Sequence, residues 1–260
     1  MRNRLFILAT ASFFNILCLM ACAQEHAANE KKLSIANSIA QTTILLNNQD
    51  AIIPLKSLEK KNIASVSLGF SYSLIFDSLA NKYDQVTPFS AAMYKDSVNL
   101  NNLEDDLKYY STIIITLNDV MAQNGKILNF ISNTAKHKEV ILAVFGDGKS
   151  LASFDNLTSP IVWSPQNNEE ASMLVPQLIF GGIAAQHKLT KAYSAKYTEG
   201  LGFSTTITRL KYTVPEDAGV NTEELNAIDK IANEAIAAKA APGIVVLVAK
   251  DGKVIYNKAF

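Results

Sequence analysis

Two runs of consecutive apolar residues limit what this chain can fold into more than any other feature. They are Ile113-Ile114-Ile115-Thr116-Leu117 and Val140-Ile141-Leu142-Ala143-Val144-Phe145. A strand with one wet face alternates apolar and polar residues. A strand that is apolar at nearly every position is covered on both faces, as in parallel sheets. Each run ends in a polar turn, at Asn118-Asp119 and Gly146-Asp147. Two further runs extend the series: 63–68, closed by Gly69, and Ile161-Val162-Trp163, closed by Ser164-Pro165. Stretches of helical character lie among them, at 74–82, 103–110, 121–137 and 169–180. Strands alternating with helices require right-handed crossovers, which predicts an α/β fold with a doubly wound, mostly parallel sheet flanked by helices.

Local signals set the expected boundaries. Ile35, Ile39, Thr42 and Leu46 share one face at helical spacing, which predicts a helix over 34–46. Asn47-Asn48-Gln49-Asp50 then makes a turn, and Ile52-Ile53-Pro54-Leu55 runs extended because the residue before a proline avoids the helical region. In 169–180, Ala171, Leu174, Val175, Leu178 and Ile179 form an apolar stripe. Asn167 is the expected cap, with Glu170 three residues on. Gly181-Gly182 is the stop, and Pro176 is expected to kink the helix. Further on, Asn221 caps a helix over 222–239 that presents Leu225, Ile228, Ala232 and Ile236. The pair Asp251-Gly252 between apolar runs predicts a β-hairpin.

The N-terminal 23 residues read as an export signal. Arg2 and Arg4 precede an apolar stretch, 5–21, followed by small residues. Two cleavage patterns fit. Leu19-Met20-Ala21-Cys22 resembles a bacterial lipobox, in which Cys22 is lipidated; Ala21-Cys22-Ala23 also fits a small-residue cleavage site. The expectation is an exported chain, periplasmic or anchored to the outer membrane as a lipoprotein. Both cysteines, Cys18 and Cys22, fall in the signal, so the remainder has no thiol for a disulfide or a nucleophile. The 24 basic and 24 acidic residues balance, and removing Arg2 and Arg4 gives a net charge of −2. That balance gives no electrostatic footprint for nucleic acid. The whole chain is 48% apolar and 18% charged, which suits a buried core.

Ile44-Leu45-Leu46-Asn47-Asn48 followed by Ile53-Pro54-Leu55 resembles the opening of the family 3 glycoside hydrolase C-terminal domain. Asn168-Glu169-Glu170-Ala171, Ile179-Phe180-Gly181-Gly182-Ile183 and Lys188-Leu189 resemble its later motifs. Gly200-Leu201-Gly202-Phe203 and Arg209-Leu210 with Tyr212 resemble its close. The resemblance covers about residues 33–213. His187 stands where the family has a glycine, and Thr190-Lys191 replace its Pro-Val. The resemblance implies an accessory domain of a β-N-acetylglucosaminidase or β-glucosidase, acting in carbohydrate metabolism. Its nucleophilic aspartate would come from a separate barrel of roughly eight strand–helix units. Only about ten residues lie between the signal and the first helix, too few for such a barrel. The chain is therefore expected to be inactive alone, and its expected partners are a carbohydrate, a separate glycosidase barrel and, through the lipid, a membrane. Residues 215–260, from Pro215-Glu216-Asp217-Ala218-Gly219 through the hairpin, resemble the start of a β-lactamase-like serine hydrolase. This implies a truncated segment without that family's Ser-x-x-Lys motif. An alternative is a stand-alone lipoprotein module that binds a glycan or a partner at the edge of the sheet.

Chemistry-bearing residues are few. Asp119 and Asp147 follow predicted strands at the carboxyl edge, where α/β sheets take ligands. Glycoside hydrolysis needs two carboxyl groups roughly 5 to 9.5 Å apart. An Asp after a strand more often makes a turn or a cap, so no catalytic residue is assigned. Ser57-Leu58-Glu59-Lys60 matches Ser-x-x-Lys by letters alone and lies far from the hydrolase-like segment. Gly146-Asp147-Gly148-Lys149 lacks the spacing of a phosphate loop. His26, His137 and His187 have no metal-ligand spacing, so neither metal nor cofactor is expected. Trp163, in an apolar strand, reads as core rather than as a sugar platform.

Overall fold

A computed structural model describes residues 24–90 and 100–260. The signal segment, with Cys22, lies outside the described residues. The chain divides into two compact units, one of residues 36–209 and one formed by 24–35 with 210–260. Helix α1 (24–42) contributes to both. Among the described residues, no helix is long and apolar enough to cross a membrane.

The larger unit is the expected α/β fold. Its sheet holds β1 (Ile44–Leu46), β2 (Ile63–Leu68), β3 (Val86–Ser90), β4 (Thr112–Asn118), β5 (Glu139–Phe145) and β6 (Ile161–Ser164), in the order β1-β6-β5-β4-β2-β3. Strands β2 to β6 are parallel, and β1 runs antiparallel beside β6, with Ile44 opposite Trp163. Strands β2 and the bodies of β4 and β5 are buried on both faces, as their unbroken apolar runs require. Helices α3 (Leu100–Asp106) and α4 (Gly125–Thr134) supply Leu103, Ile127, Phe130 and Ile131 to the main core on one face. Helices α2 (Ser73–Ala80) and α5 (Glu169–Phe180) pack together, and Tyr83 just beyond α2 stacks on Phe180 at 5.3 Å.

Several boundaries correct the sequence reading. The helix predicted over 34–46 ends at residue 42, and Ile44–Leu46 is a strand. All three side chains are at most 4% exposed. A helix presenting one face cannot bury three successive residues so completely. Strand β3 carries Pro88 and hides in a Thr-Pro-Phe-Ser sequence. Among the described residues it pairs with β2 alone, and an edge position is where a strand tolerates proline. The helix expected over 121–137 is two elements: a single turn, Met121–Gln123, then α4, restarted by the Asn124 side chain accepting from the Lys126 N–H. Residues 103–110 likewise split into the end of α3 and a 3-10 turn, Leu107–Tyr109. Helix α5 has the predicted bounds and continues through Pro176. Its cap is Asn168 rather than Asn167: the Asn168 side chain accepts from the Ala171 N–H at 2.9 Å. Gly181, at φ 85°, ends it as expected.

In the smaller unit, Asn221 caps α6 (Thr222–Ala237), accepting from the Glu223 N–H. The hairpin β8 (Val245–Lys250) and β9 (Lys253–Ala259) turns at Asp251 and Gly252, both at positive φ. It is not a lone hairpin, because β7 (Lys211–Tyr212) adds a parallel third strand beside β9. Asp217 binds Lys211 at 2.6 Å and Lys253 at 2.9 Å. Burial alone would raise its carboxyl, but the two ammonium groups hold it below the ordinary value. Residues 24–35 join this unit through His26 Nδ1 to Glu216 Oε1 at 3.2 Å and through Asn29 Nδ2, which donates to Thr222 Oγ1. Among the described residues strand β8 has one neighbour, β9, and Val245 and Leu247 on it are 74% and 50% exposed.

Candidate functional site

The parallel strands wind outward from a switch between β2 and β4, and open α/β sheets bind ligands beyond the strand ends at such a point. Here the crevice is filled by the chain itself. Asn118, the last residue of β4, donates from Nδ2 to the Gly69 carbonyl at 2.6 Å and accepts the Met121 N–H at 2.8 Å. A Cβ on Gly69 would sit 2.6 Å from Met121 Cγ, so that glycine is required both by space and by its φ of 71°. Phe70 stacks on Phe145 at 4.0 Å.

Asp119 and Asp147 come together one strand further along. The Asp119 carboxylate lies against Gly146, where a Cβ would approach its Cγ to 2.9 Å. It accepts the Asp147 N–H at 3.4 Å. Asp147 is exposed, and its Oδ1 accepts the Lys149 N–H at 3.0 Å, capping the 3-10 helix Gly148–Phe154. Both carboxylates thus bond to backbone in a turn, and Gly146-Asp147-Gly148-Lys149 is the cap of a short helix.

Beside them, Trp163 is 4% exposed and donates from Nε1 to the Gly146 carbonyl. The half-buried Tyr193 meets it edge-on at 5.2 Å and covers Gly148. Burial, and then the nearby Asp147 charge, push the Tyr193 hydroxyl above its ordinary pKa. Tyr193 carries no sequence signal, because its loop has no periodicity; only folding brings it to this edge.

The remaining candidates separate. Ser57 and Lys60 are exposed on a one-turn 3-10 segment. His26 belongs to the smaller unit, while His137 and His187 lie in the larger one. Among the described residues, no group of three or more His, Cys, Asp or Glu could hold a metal ion.

The motif residues are absorbed by packing. Asn47, at φ 54°, donates from Nδ2 toward the Leu157 and Ser159 carbonyls and the Tyr197 hydroxyl. Tyr197 is fully buried, donates to the Phe154 carbonyl, and has its pKa pushed up to about 12, chiefly by burial. Asn48 brackets Ile53, accepting its N–H and donating to its carbonyl. Arg209 Nη1 donates to the Leu55 carbonyl at 2.8 Å and the Phe180 carbonyl at 2.5 Å. Its own N–H and that of Thr208 go to the Gly181 carbonyl.

No protein-family model and no curated protein matches the chain. Solved structures similar to it include a fungal multi-domain family 3 β-N-acetylglucosaminidase, at TM-score 0.48 and 11% identity, over 57% of this chain and 17% of that one. A family 3 β-N-acetylglucosaminidase from a Paenibacillus species matches at 0.48 and 11%, over 61% and 32%. The β-glucoside phosphorylase BglX, bound to 2FGlc, matches at 0.42 and 14%, over 56% and 28%. The aligned part spans less than a third of each of these proteins. At such identities no residue of a site carries over.

Proposed function

We propose that residues 36–209 form an accessory domain of the family 3 glycoside hydrolase C-terminal type, in an exported carbohydrate-active protein, with no hydrolytic activity of its own. The observation that carries this reading is the meeting of the motifs. Leu55 of the opening motif, Phe180-Gly181 of the middle one and Arg209 of the closing one lie far apart in sequence and converge on one knot of hydrogen bonds. Motifs set in one order for one packing purpose fit a single domain. The backbone bonding of Asp119 and Asp147 supports a non-catalytic role. Export rests on the Arg2, Arg4 and Cys22 signal, and labelled-lipid incorporation lost in Cys22→Ala tests it. The activity test is hydrolysis of chromogenic β-N-acetylglucosaminide and β-glucoside, with Asp119→Asn and Asp147→Asn alongside. The expected result is no turnover; turnover abolished by either substitution refutes the proposal.

A second reading, glycan binding at the carboxyl edge, is favoured by the half-buried Tyr193 ring near the exposed Asp147 carboxylate, a combination suited to a sugar's apolar face and hydroxyls. Calorimetry with N-acetylglucosamine oligomers, for the native chain and Tyr193→Ala, tests it. Heat unchanged by the substitution removes this reading.

A further inference from the structure

The opposite end of the same sheet holds a cleft of about 480 Å³, lined by Glu104, Leu107, Lys108, Asn133, Thr134, Lys136, His137 and Lys138. It forms where the 3-10 turn after α3 and the end of α4 meet, at the amino ends of β4 and β5. Its volume is within the roughly 300–1,000 Å³ of small-ligand sites. Three lysines and one glutamate line it, the Lys108 ammonium lying over the Tyr109 ring at 5.0 Å, although the chain as a whole has equal numbers of acids and bases. We propose that this cleft binds a small organic anion through its carboxylate or phosphate oxygens.

The hydrogen-bond inventory argues for an anion rather than a neutral or cationic ligand. The backbone acceptors at the cleft are already engaged, which leaves the Glu104 carboxylate as the acidic group on its rim. The Thr134 carbonyl takes the N–H groups of His137 and Lys138, and the Lys108 and Tyr110 carbonyls take the Lys138 ammonium at 3.1 and 2.6 Å. Those two bonds also fix Lys138, half-buried, with one of its three N–H donors unspent. Lys136 gives one donor to Asn133 Oδ1 at 3.0 Å and keeps two. The buried Leu107 and Thr134 form the floor, with exposures of 1% and 8%. A fixed ammonium beside an adjustable one, over a partly apolar floor, suits a charged oxygen group carried on a compact body.

Isothermal titration of the folded chain with glucuronate, inorganic phosphate and uncharged glucose tests the inference. The variants Lys136→Gln and Lys108→Gln, both exposed sites, leave the fold intact. Saturable binding of glucuronate or phosphate, weakened about fivefold by Lys136→Gln as for one rim charge, supports it. Glucuronate without phosphate identifies a sugar acid; both together identify the oxyanion itself. No saturable binding of either anion, equal binding of glucose, or affinities unmoved by both variants overturns it.

Discussion

Asn47 is the residue whose replacement most directly tests the packing account of the motifs. It is 4% exposed, sits at φ 54°, and faces three oxygen acceptors at 3.0 to 3.2 Å. Its amide has two hydrogens, so two full bonds are shared among three acceptors. Each is worth about 1 kcal/mol net, and a carbonyl stranded in the interior adds about 1–3 kcal/mol. The Leu157 carbonyl retains Lys196 Nζ as a donor, which leaves the Ser159 carbonyl as the principal loss. Alanine must also hold left-handed backbone, at about 1–2 kcal/mol. Asn47→Ala is therefore expected to lose about 4–7 kcal/mol, and Asn47→Gly about 1–2 kcal/mol less, because glycine accepts the backbone but not the bonds. Urea unfolding followed by fluorescence measures this cleanly. Trp163 is the single tryptophan, buried in the larger unit, so its signal reports that unit. An Asn47→Ala loss below about 1 kcal/mol, or a glycine variant less stable than the alanine one, would refute the reasoning.

Two further outcomes follow from buried and exposed extremes. Asp77 on α2 is buried, with Ser65 of β2 beside it; burial raises its pKa above 3.8, and a hydrogen bond from Ser65 opposes the shift. The folded state then holds its proton to higher pH than the unfolded chain, so native stability falls as pH rises above 3.8. Asp77→Asn should remove that slope in unfolding measured against pH, and parallel profiles for the two proteins would contradict this. In the smaller unit, the open edge and exposed apolar side chains of β8 should give concentration-dependent association in sedimentation, abolished in Val245→Lys/Leu247→Lys; identical behaviour of the two would exclude the edge as the cause.

The central strands were legible because being covered on both faces writes an unbroken apolar run, as in β4 and β5. Strand β3 was not, because Pro88 and its polar neighbours spell a loop, and only the edge position reconciles them with pairing. Ile44–Leu46 continues a helical pattern without a break, and its strand identity comes from a partner more than a hundred residues later. Choosing between Asn167 and Asn168 depends on which backbone turns extended before α5, which adjacent identical residues cannot express. Asp119 and Asp147 were visible as strand-end acids, and each accepts a backbone N–H in the turn. Tyr193 and the lysine cleft were invisible, because each is assembled by loops or helix ends that meet only in three dimensions.

The knot at Arg209 also governs time. Its bond to Leu55 spans 154 positions and that of Asn47 to Tyr197 spans 150. Closing loops of that length costs entropy before any contact repays it, and chains dominated by distant pairings fold slowly. The local β–α–β units close shorter loops and are expected to form first, with the clasp closing after the rate-limiting barrier. Arg209→Gln should then accelerate unfolding in stopped-flow experiments and leave the refolding rate nearly unchanged. A clasp of that kind acts as a lock on the native state, setting how long the domain survives once folded rather than how readily it folds.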